Sequence, residues 1–301
     1  MKVVVLGAGA LGSLFGGLLS KKHDVILVGR KAHVQAINSK GLQITGVTKL
    51  RCKPKAVTST KGLKAPDLLL IAVKAYDTAK AARQAMPLVG QDTKVLSFQN
   101  GITTLGILEK GLPEGSLLGG WTSHGVTFVK PGVVKHAGIG DTVIGELDGR
   151  ESYCPSAFAH ALASCSIKTR VSTDIRREVW LMGIVNSAIN PLTAILRCEN
   201  GTLMKDPGLS EVVRSICAEA SEVARAEGYG ISEDEAFGLA MRIARQTSAN
   251  RSSMLQDLER GRKTEVDFLN GAVCELGSRH GIETPVNAAL LALIKSMESK
   301  A

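Results

Sequence analysis

The chain has 301 residues, 44% hydrophobic and 22% charged, with a formal net charge of +9. That length is long for one hydrophobic core and suits two domains, and the composition is that of an ordinary globular protein. No apolar run reaches the roughly 18 to 20 residues of a membrane span without a Gly or a charge. Aromatics are only 4% and no basic run exceeds three residues, which argues against nucleic acid despite the positive charge. The six Cys (52, 154, 165, 198, 217 and 274) show no C-x-x-C spacing and no His at metal distances. Reduced thiols, a cytoplasmic location and no metal are therefore expected.

The opening segment carries the strongest signal. Val3 to Leu6 is a short apolar, β-branched run of the kind buried in a parallel sheet. Gly7, Ala8, Gly9, Ala10, Leu11 and Gly12 then give G-x-G-x-x-G at the junction with a helix over Ala10 to Ser20. In a dinucleotide site, the first glycine makes the tight turn and the second lets the backbone approach a pyrophosphate. The third lets the helix pack on the strand. The pyrophosphate sits where free N–H groups and the helix dipole favour an anion. A secretory-signal reading of the same stretch fails, because five glycines (7, 9, 12, 16 and 17) make a poor hydrophobic helix and no cleavage site precedes a new domain.

Val25 to Gly29 is a second strand, and it ends in Arg30 with no acid at its tip. An acid there would bond a ribose 2′-hydroxyl, whereas Arg suits a 2′-phosphate, so NADP(H) is the expected cofactor. Arg30 to Lys40 reads as a helix and 42 to 58 as short extended pieces around Gly46 and Pro54. Asp67 to Val73 is a third strand, with Lys74 just past it as a further cofactor contact. Thr78 to Met86 is helical and Lys94 to Gln99 is a fourth strand leading into Asn100-Gly101. This alternation predicts a parallel, doubly wound sheet of Rossmann type. Residues 117 to 147 read as extended segments with turns at Pro131-Gly132 and Gly138 to Gly140.

Strand signal stops at about residue 172. Helical spacing then covers 174 to 196, 208 to 228, 232 to 249, 252 to 280 and 286 to 299. The expected organisation is a nucleotide-binding domain over 1–168 and an all-helical substrate domain over 169–301. Glu178, Met182, Asn186 and Asn190 lie four apart and share one helix face. Asn at two successive turns of a buried face needs partners, and either a polar ligand or core amides would serve. Ser253, Asp257 and Glu265 are spaced to align along a single helix over 252 to 280. The outer face of 265 to 298 suits a homodimer or an ordinary core equally.

Taken together, these strings resemble the ketopantoate reductase (2-dehydropantoate 2-reductase) family along nearly the whole chain. The resemblance rests on Gly7 to Gly12, Val73-Lys-Ala75, Asn100-Gly101, Asn186 with Ile189 to Ile195, Asn200-Gly201, Ser252 to Asp257, and Thr264-Glu265. It implies NADPH-dependent reduction of 2-dehydropantoate to (R)-pantoate, a step toward pantothenate and coenzyme A. Gly7 to Gly12, Arg30, Lys74, Asn100 and Glu265 would hold the cofactor. Asn186, Asn190, Asn200, Ser253 and Asp257 would hold the substrate, with Asn100 and Glu265 at the reacting centre. The family's general acid is a lysine two residues after the helix Trp and four before the first Asn. Here that position is Met182, which has no N–H and no titratable proton. An intact enzyme with another donor (Lys263, Arg251 or Arg177), a weakly active or non-catalytic NADP-binding homologue, and a reductase of another 2-keto acid remain the alternatives.

Overall fold

The computed structural model describes residues 1–150 and 152–299. The chain divides into two compact units: Met1–Gln99 with Thr104–Arg176, and Asn100–Thr103 with Arg177–Ala301.

The first unit opens with β1 (Lys2–Leu6), α1 (Ala10–Leu19), β2 (Asp24–Val28) and α2 (Lys31–Lys40). Three short strands follow: β3 (Leu42–Gly46), β4 (Leu50–Cys52) and β5 (Lys55–Val57). Next come β6 (Leu68–Ile71), α3 (Thr78–Ala85), β7 (Lys94–Ser97), α4 (Thr104–Gly111), β8 (Leu117–Thr122), β9 (Gly125–Lys130), β10 (Val133–Gly138) and β11 (Thr142–Glu146). It closes with α5 (Tyr153–Ser164), β12 (Thr169–Val171) and the start of α6 (Ile175–Leu196). The main sheet has eight strands in the order β12-β11-β8-β7-β6-β1-β2-β5. All pairs are parallel except β8 with β11, so the sheet is mixed at one side rather than wholly parallel. The chain runs from β1 outward to β2, then returns to β6 on β1's other side. That reversal is the topological switch point at which doubly wound folds bind nucleotides.

A second sheet, in the order β4-β3-β10-β9, was only sketched by the sequence as extended pieces. The glycines of α1 explain how both sheets flank it. A Cβ on Gly16 would lie 2.3 Å from Leu27 Cδ2 of the main sheet, and one on Gly17 would lie 2.8 Å from Ile44 Cδ1 of the second. Strand β12 pairs with β11, so the chain stays in the first unit beyond the expected boundary at 168. Helices α4 and α5 were also not anticipated; both are short and strengthened by tertiary packing rather than by a clear periodic face.

Histidines from α2, from the loop before β9 and from β10 meet at the second sheet. His33 Nδ1 accepts from the Gly132 N–H at 2.9 Å, which leaves Nε2–H to donate to Ser13 Oγ at 2.9 Å. Burial first, and the Arg30 charge second, lower its pKa to about 4. His124, hydrogen-bonded to His136 at 2.9 Å, is likewise lowered to about 4, by burial and then by His136. A base whose folded pKa lies below its unfolded 6.5 takes up its proton earlier in the unfolded chain. Stability is therefore full above about pH 6.5 and falls as pH drops toward 4. We expect the urea midpoint to decline already between roughly pH 6.5 and 5, above the usual carboxylate range. A flat midpoint across that interval would refute this reading.

The second unit is helical: the remainder of α6, then α7 (Pro207–Ala226), α8 (Glu233–Gln246), α9 (Ser253–Leu258), α10 (Asn270–His280) and α11 (Pro285–Glu298). Short 3₁₀ turns lie at Asn200–Met204 and Val266–Phe268. Helix α6 is long and apolar enough to cross a membrane, with a best-window hydropathy of 1.5, but 83% of that window is buried inside the protein. It is the central core helix, with Trp180, Ile184, Val185, Ala188 and Ile189 packed against residues of α7, α8 and α10.

One expected element is corrected. Residues 252 to 280 do not form one helix. Helix α9 ends at Leu258, Gly261 takes φ +60°, and the Val266–Phe268 turn intervenes before α10. Ser253 and Asp257 share α9, but Glu265 lies outside it. The sequence spacing of eight was not a helical register, because Gly261 reverses the chain between them.

Candidate active site

In the first unit, the nucleotide-binding candidates lie at the ends of β1, β2 and β6. Gly7 leaves β1 with φ +105°, a left-handed conformation that favours glycine. A Cβ there would lie 2.6 Å from the Val73 nitrogen, so the loops after β1 and β6 meet at the switch point. The Gly7 and Ala8 N–H groups both donate to the Val28 carbonyl, which folds the turn over the end of β2. Gly9, the N-cap of α1, would bring its Cβ no closer than 4.0 Å to any atom, so the loop leaves space above it. No side chain caps this helix start and no acid lies in its first turn. Its N–H groups and positive dipole end are available to an anion.

At Gly12 a Cβ would lie 2.2 Å from the Gly7 carbonyl oxygen. Gly12→Ala must push α1 off β1, and overpacking of this kind costs on the order of 1–3 kcal/mol or more. The expected outcome is a lowered Tm and loss of stabilisation by an added nicotinamide dinucleotide, read by thermal denaturation with and without it.

Arg30 is the exposed N-cap residue of α2, with extended backbone and no capping bond from its side chain. Its guanidinium makes no hydrogen bond or ion pair with the described residues. Lys74 follows β6 as the N-cap of a 3₁₀ turn and is half-buried. Gln99, which closes the unit after β7, donates to Thr78 Oγ1 at 2.8 Å and to the Val73 carbonyl at 3.3 Å. It thereby ties β7 to the loop carrying Lys74.

The second unit gathers most of the remaining candidates. Asn186, on α6, donates to Asn100 Oδ1 at 3.5 Å, and Asn100 Nδ2 donates to Glu265 Oε2 at 3.4 Å. These bonds are long, so the three groups lie in one line without being fully committed to each other. The segment holding Asn100 is fixed because the Ile102 N–H donates to the Phe268 carbonyl at 2.9 Å. Glu265, buried, begins the same turn. Met182 is buried one turn before Asn186, and Asn190 is buried one turn after it.

Asn200 is 7% exposed; its Nδ2 donates to Thr247 Oγ1 at 2.8 Å, and its Oδ1 is buried without a hydrogen-bond partner. An unmet buried acceptor costs about 1–3 kcal/mol, which a donor from a bound ligand would offset at Asn200. Ser253 begins α9 and is half-buried, and Asp257 is buried one turn on.

The cations that could replace the expected lysine are each engaged. Arg177 donates to Glu235 and to the Gly230 carbonyl, Arg251 pairs with Glu259, and Lys263 pairs with Asp267 at 3.2 Å.

Sequence reasoning missed the residues that brace this arrangement. Ser252 caps α9 by accepting from the Leu255 N–H, and Thr193 Oγ1 bonds to Ser252 Oγ at 2.8 Å. The hydroxyl pair pins α9 to α6 beside Asn190. A Ser just before the short helical segment Ser253–Leu258 was the available signal for the cap; nothing in the spacing announced Thr193 as its partner.

Two family models cover most of the chain: "Ketopantoate reductase PanE/ApbA" matches residues 3–149, and its C-terminal counterpart matches 174–298. The chain belongs to the ketopantoate reductase family. It is 40% identical to the 2-dehydropantoate 2-reductase of Pyrococcus horikoshii over 99% of this chain and 98% of that protein. It is 39% identical to the Archaeoglobus fulgidus enzyme of the same name over 99% and 98%. Among solved structures it resembles a PanE/ApbA family ketopantoate reductase from Ralstonia eutropha, with a TM-score of 0.89, 34% identity and coverage of 100% and 99%. It also resembles D-mandelate dehydrogenase in complex with NADH and anilino(oxo)acetate, with a TM-score of 0.92, 28% identity and coverage of 100% and 99%.

Proposed function

We propose that this protein is a cytoplasmic NADPH-dependent reductase of 2-dehydropantoate that yields (R)-pantoate for pantothenate and coenzyme A synthesis. The reading is carried by the line Asn186–Asn100–Glu265 in the second unit. It is supported by near full-length similarity to proteins named for that reaction. Gly7 to Gly12 would hold the pyrophosphate, Arg30 and Lys74 the 2′-phosphate end, and Asn100 and Glu265 the nicotinamide end. Bound NADPH supplies the hydride that adds to the keto carbon.

The chain's own residues do the rest. Asn186 and Asn190 aim amide donors from one face of α6, and Ser253 and Asp257 add a hydroxyl and a carboxylate from α9. The Asn200 Oδ1 accepts a substrate hydroxyl, which relieves its unmet hydrogen bond. Preorganised N–H donors stabilise the alkoxide as it develops. Met182 cannot protonate that oxygen, and Arg177, Arg251 and Lys263 are held by carboxylates. Glu265, beside Asn100, is the side chain placed to pass a proton to that oxygen.

A second reading follows from Met182 and from the D-mandelate dehydrogenase likeness: a slow or altered reductase acting on a different 2-keto acid. NADPH absorbance followed with 2-dehydropantoate and with phenylglyoxylate decides between them. NADPH binding without turnover of either acid would leave a non-catalytic homologue.

A further inference from the structure

Helix α6 contains Pro191, between the turn that presents Asn186 and the turn beyond Asn190. Proline has no N–H, so the carbonyl four residues back, that of Ser187, loses its helical partner in the middle of the core. The structure supplies a replacement. Asn270, the first residue of α10 and 0% exposed, donates from Nδ2 to the Ser187 carbonyl at 3.0 Å.

The orientation of that amide is fixed by a chain of contacts. The half-buried Glu219 carboxylate of α7 accepts the Val286 and Asn287 N–H groups at the start of α11, at 2.8 and 3.0 Å. It also accepts Asn287 Nδ2 at 2.7 Å. Asn287 must therefore turn its Oδ1 toward Asn270, which donates to it at 2.9 Å. With both N–H groups of Asn270 aimed this way, its Oδ1 is left buried with no partner. Flipping the amide would set its oxygen against two acceptors, so the network determines the assignment. An unmet acceptor is tolerated here in exchange for closing the break in α6.

We infer that Asn270 is a positioning residue for the keto-acid site: held by Asn287 and Glu219, it closes the Pro191 break and so fixes the spacing of Asn186 and Asn190. The consequence for substrate rests on the proposed function; the effect on α6 does not. The test is a double-mutant cycle of Asn270→Leu and Pro191→Ala in the full chain. Pro191→Ala restores an N–H to the Ser187 carbonyl and makes Asn270 dispensable. Hydrogen–deuterium exchange is read over 187–196, together with the affinity for 2-dehydropantoate in the presence of NADP⁺ and the affinity for NADPH alone.

Asn270→Leu is expected to speed exchange in α6 and weaken the keto acid by about tenfold, with NADPH affinity unchanged. In the Pro191→Ala background the same change should cost less than about threefold. Additive effects, or equal loss of NADPH and keto-acid affinity, would overturn the inference. If Asn270→Leu fails to fold, Glu219→Gln, which keeps the shape and one acceptor, must shift exchange and affinity the same way by a smaller amount. No shift there overturns it equally. Should the parent chain bind no keto acid, the proposed function fails, while the exchange cycle still decides the role of Asn270.

Discussion

Met182→Lys is expected to raise kcat for 2-dehydropantoate by roughly 10²- to 10⁴-fold, the range that a positioned general acid contributes. The substitution puts an ammonium one turn before Asn186 on the face of α6 that carries Asn190. Lys is unbranched like Met and close to it in length, so the buried position can take the stem while the charge reaches the polar line of Asn186, Asn100 and Glu265. The KM for NADPH should not move, because no cofactor phosphate contact changes. Steady-state rates of the two chains over a range of NADPH concentrations test both claims. A gain under threefold would mean that the site lacks more than its acid, and would favour the reductase of another 2-keto acid.

How far the sequence could be read follows from which interactions are local. Gly7, Gly9 and Gly12 act within a few residues of one another, so strand, turn and helix were legible from spacing alone. The face of α6 was legible for the same reason: Met182, Asn186 and Asn190 are related by helix geometry that needs no tertiary knowledge. Glu265 was found through the family resemblance but misplaced in structure, because the helical spacing that joined it to Asp257 passes through Gly261, whose φ of +60° ends the register. Asn270 and Glu219 were not recognised at all. Their roles depend on a carbonyl freed by Pro191 and on contacts 83 and 68 residues away in the chain. Pro191 inside a helical pattern was the one local clue that some distant donor had to arrive. The second sheet was equally hidden, since β3 pairs with β10 across about ninety residues of intervening chain.

Arg30→Glu should reverse the cofactor preference, lowering the ratio of kcat/KM for NADPH over NADH by roughly 10²- to 10³-fold. A guanidinium holding a phosphate through two charge-assisted bonds contributes about 1.5–3 kcal/mol, or some 10- to 150-fold. A carboxylate in its place adds repulsion toward the 2′-phosphate while offering an acceptor to a 2′-hydroxyl, so the two changes reinforce each other. The position is suited to the exchange. Arg30 is exposed at the N-cap of α2, its side chain makes no capping bond, and no acid lies in the first turn of the helix. A carboxylate at that site is also favoured by the helix dipole, so the fold should tolerate the substitution without loss of Tm. Lys31 and Lys74 retain some attraction for phosphate, which is why the expected outcome is a reversed preference rather than abolished NADPH binding. The measurement is KM and kcat with each nucleotide at saturating keto acid. A ratio that moves by less than about threefold would reduce Arg30 to a solvated helix cap, and the likeness to an NADH-bound D-mandelate dehydrogenase would then be the better guide to the cofactor.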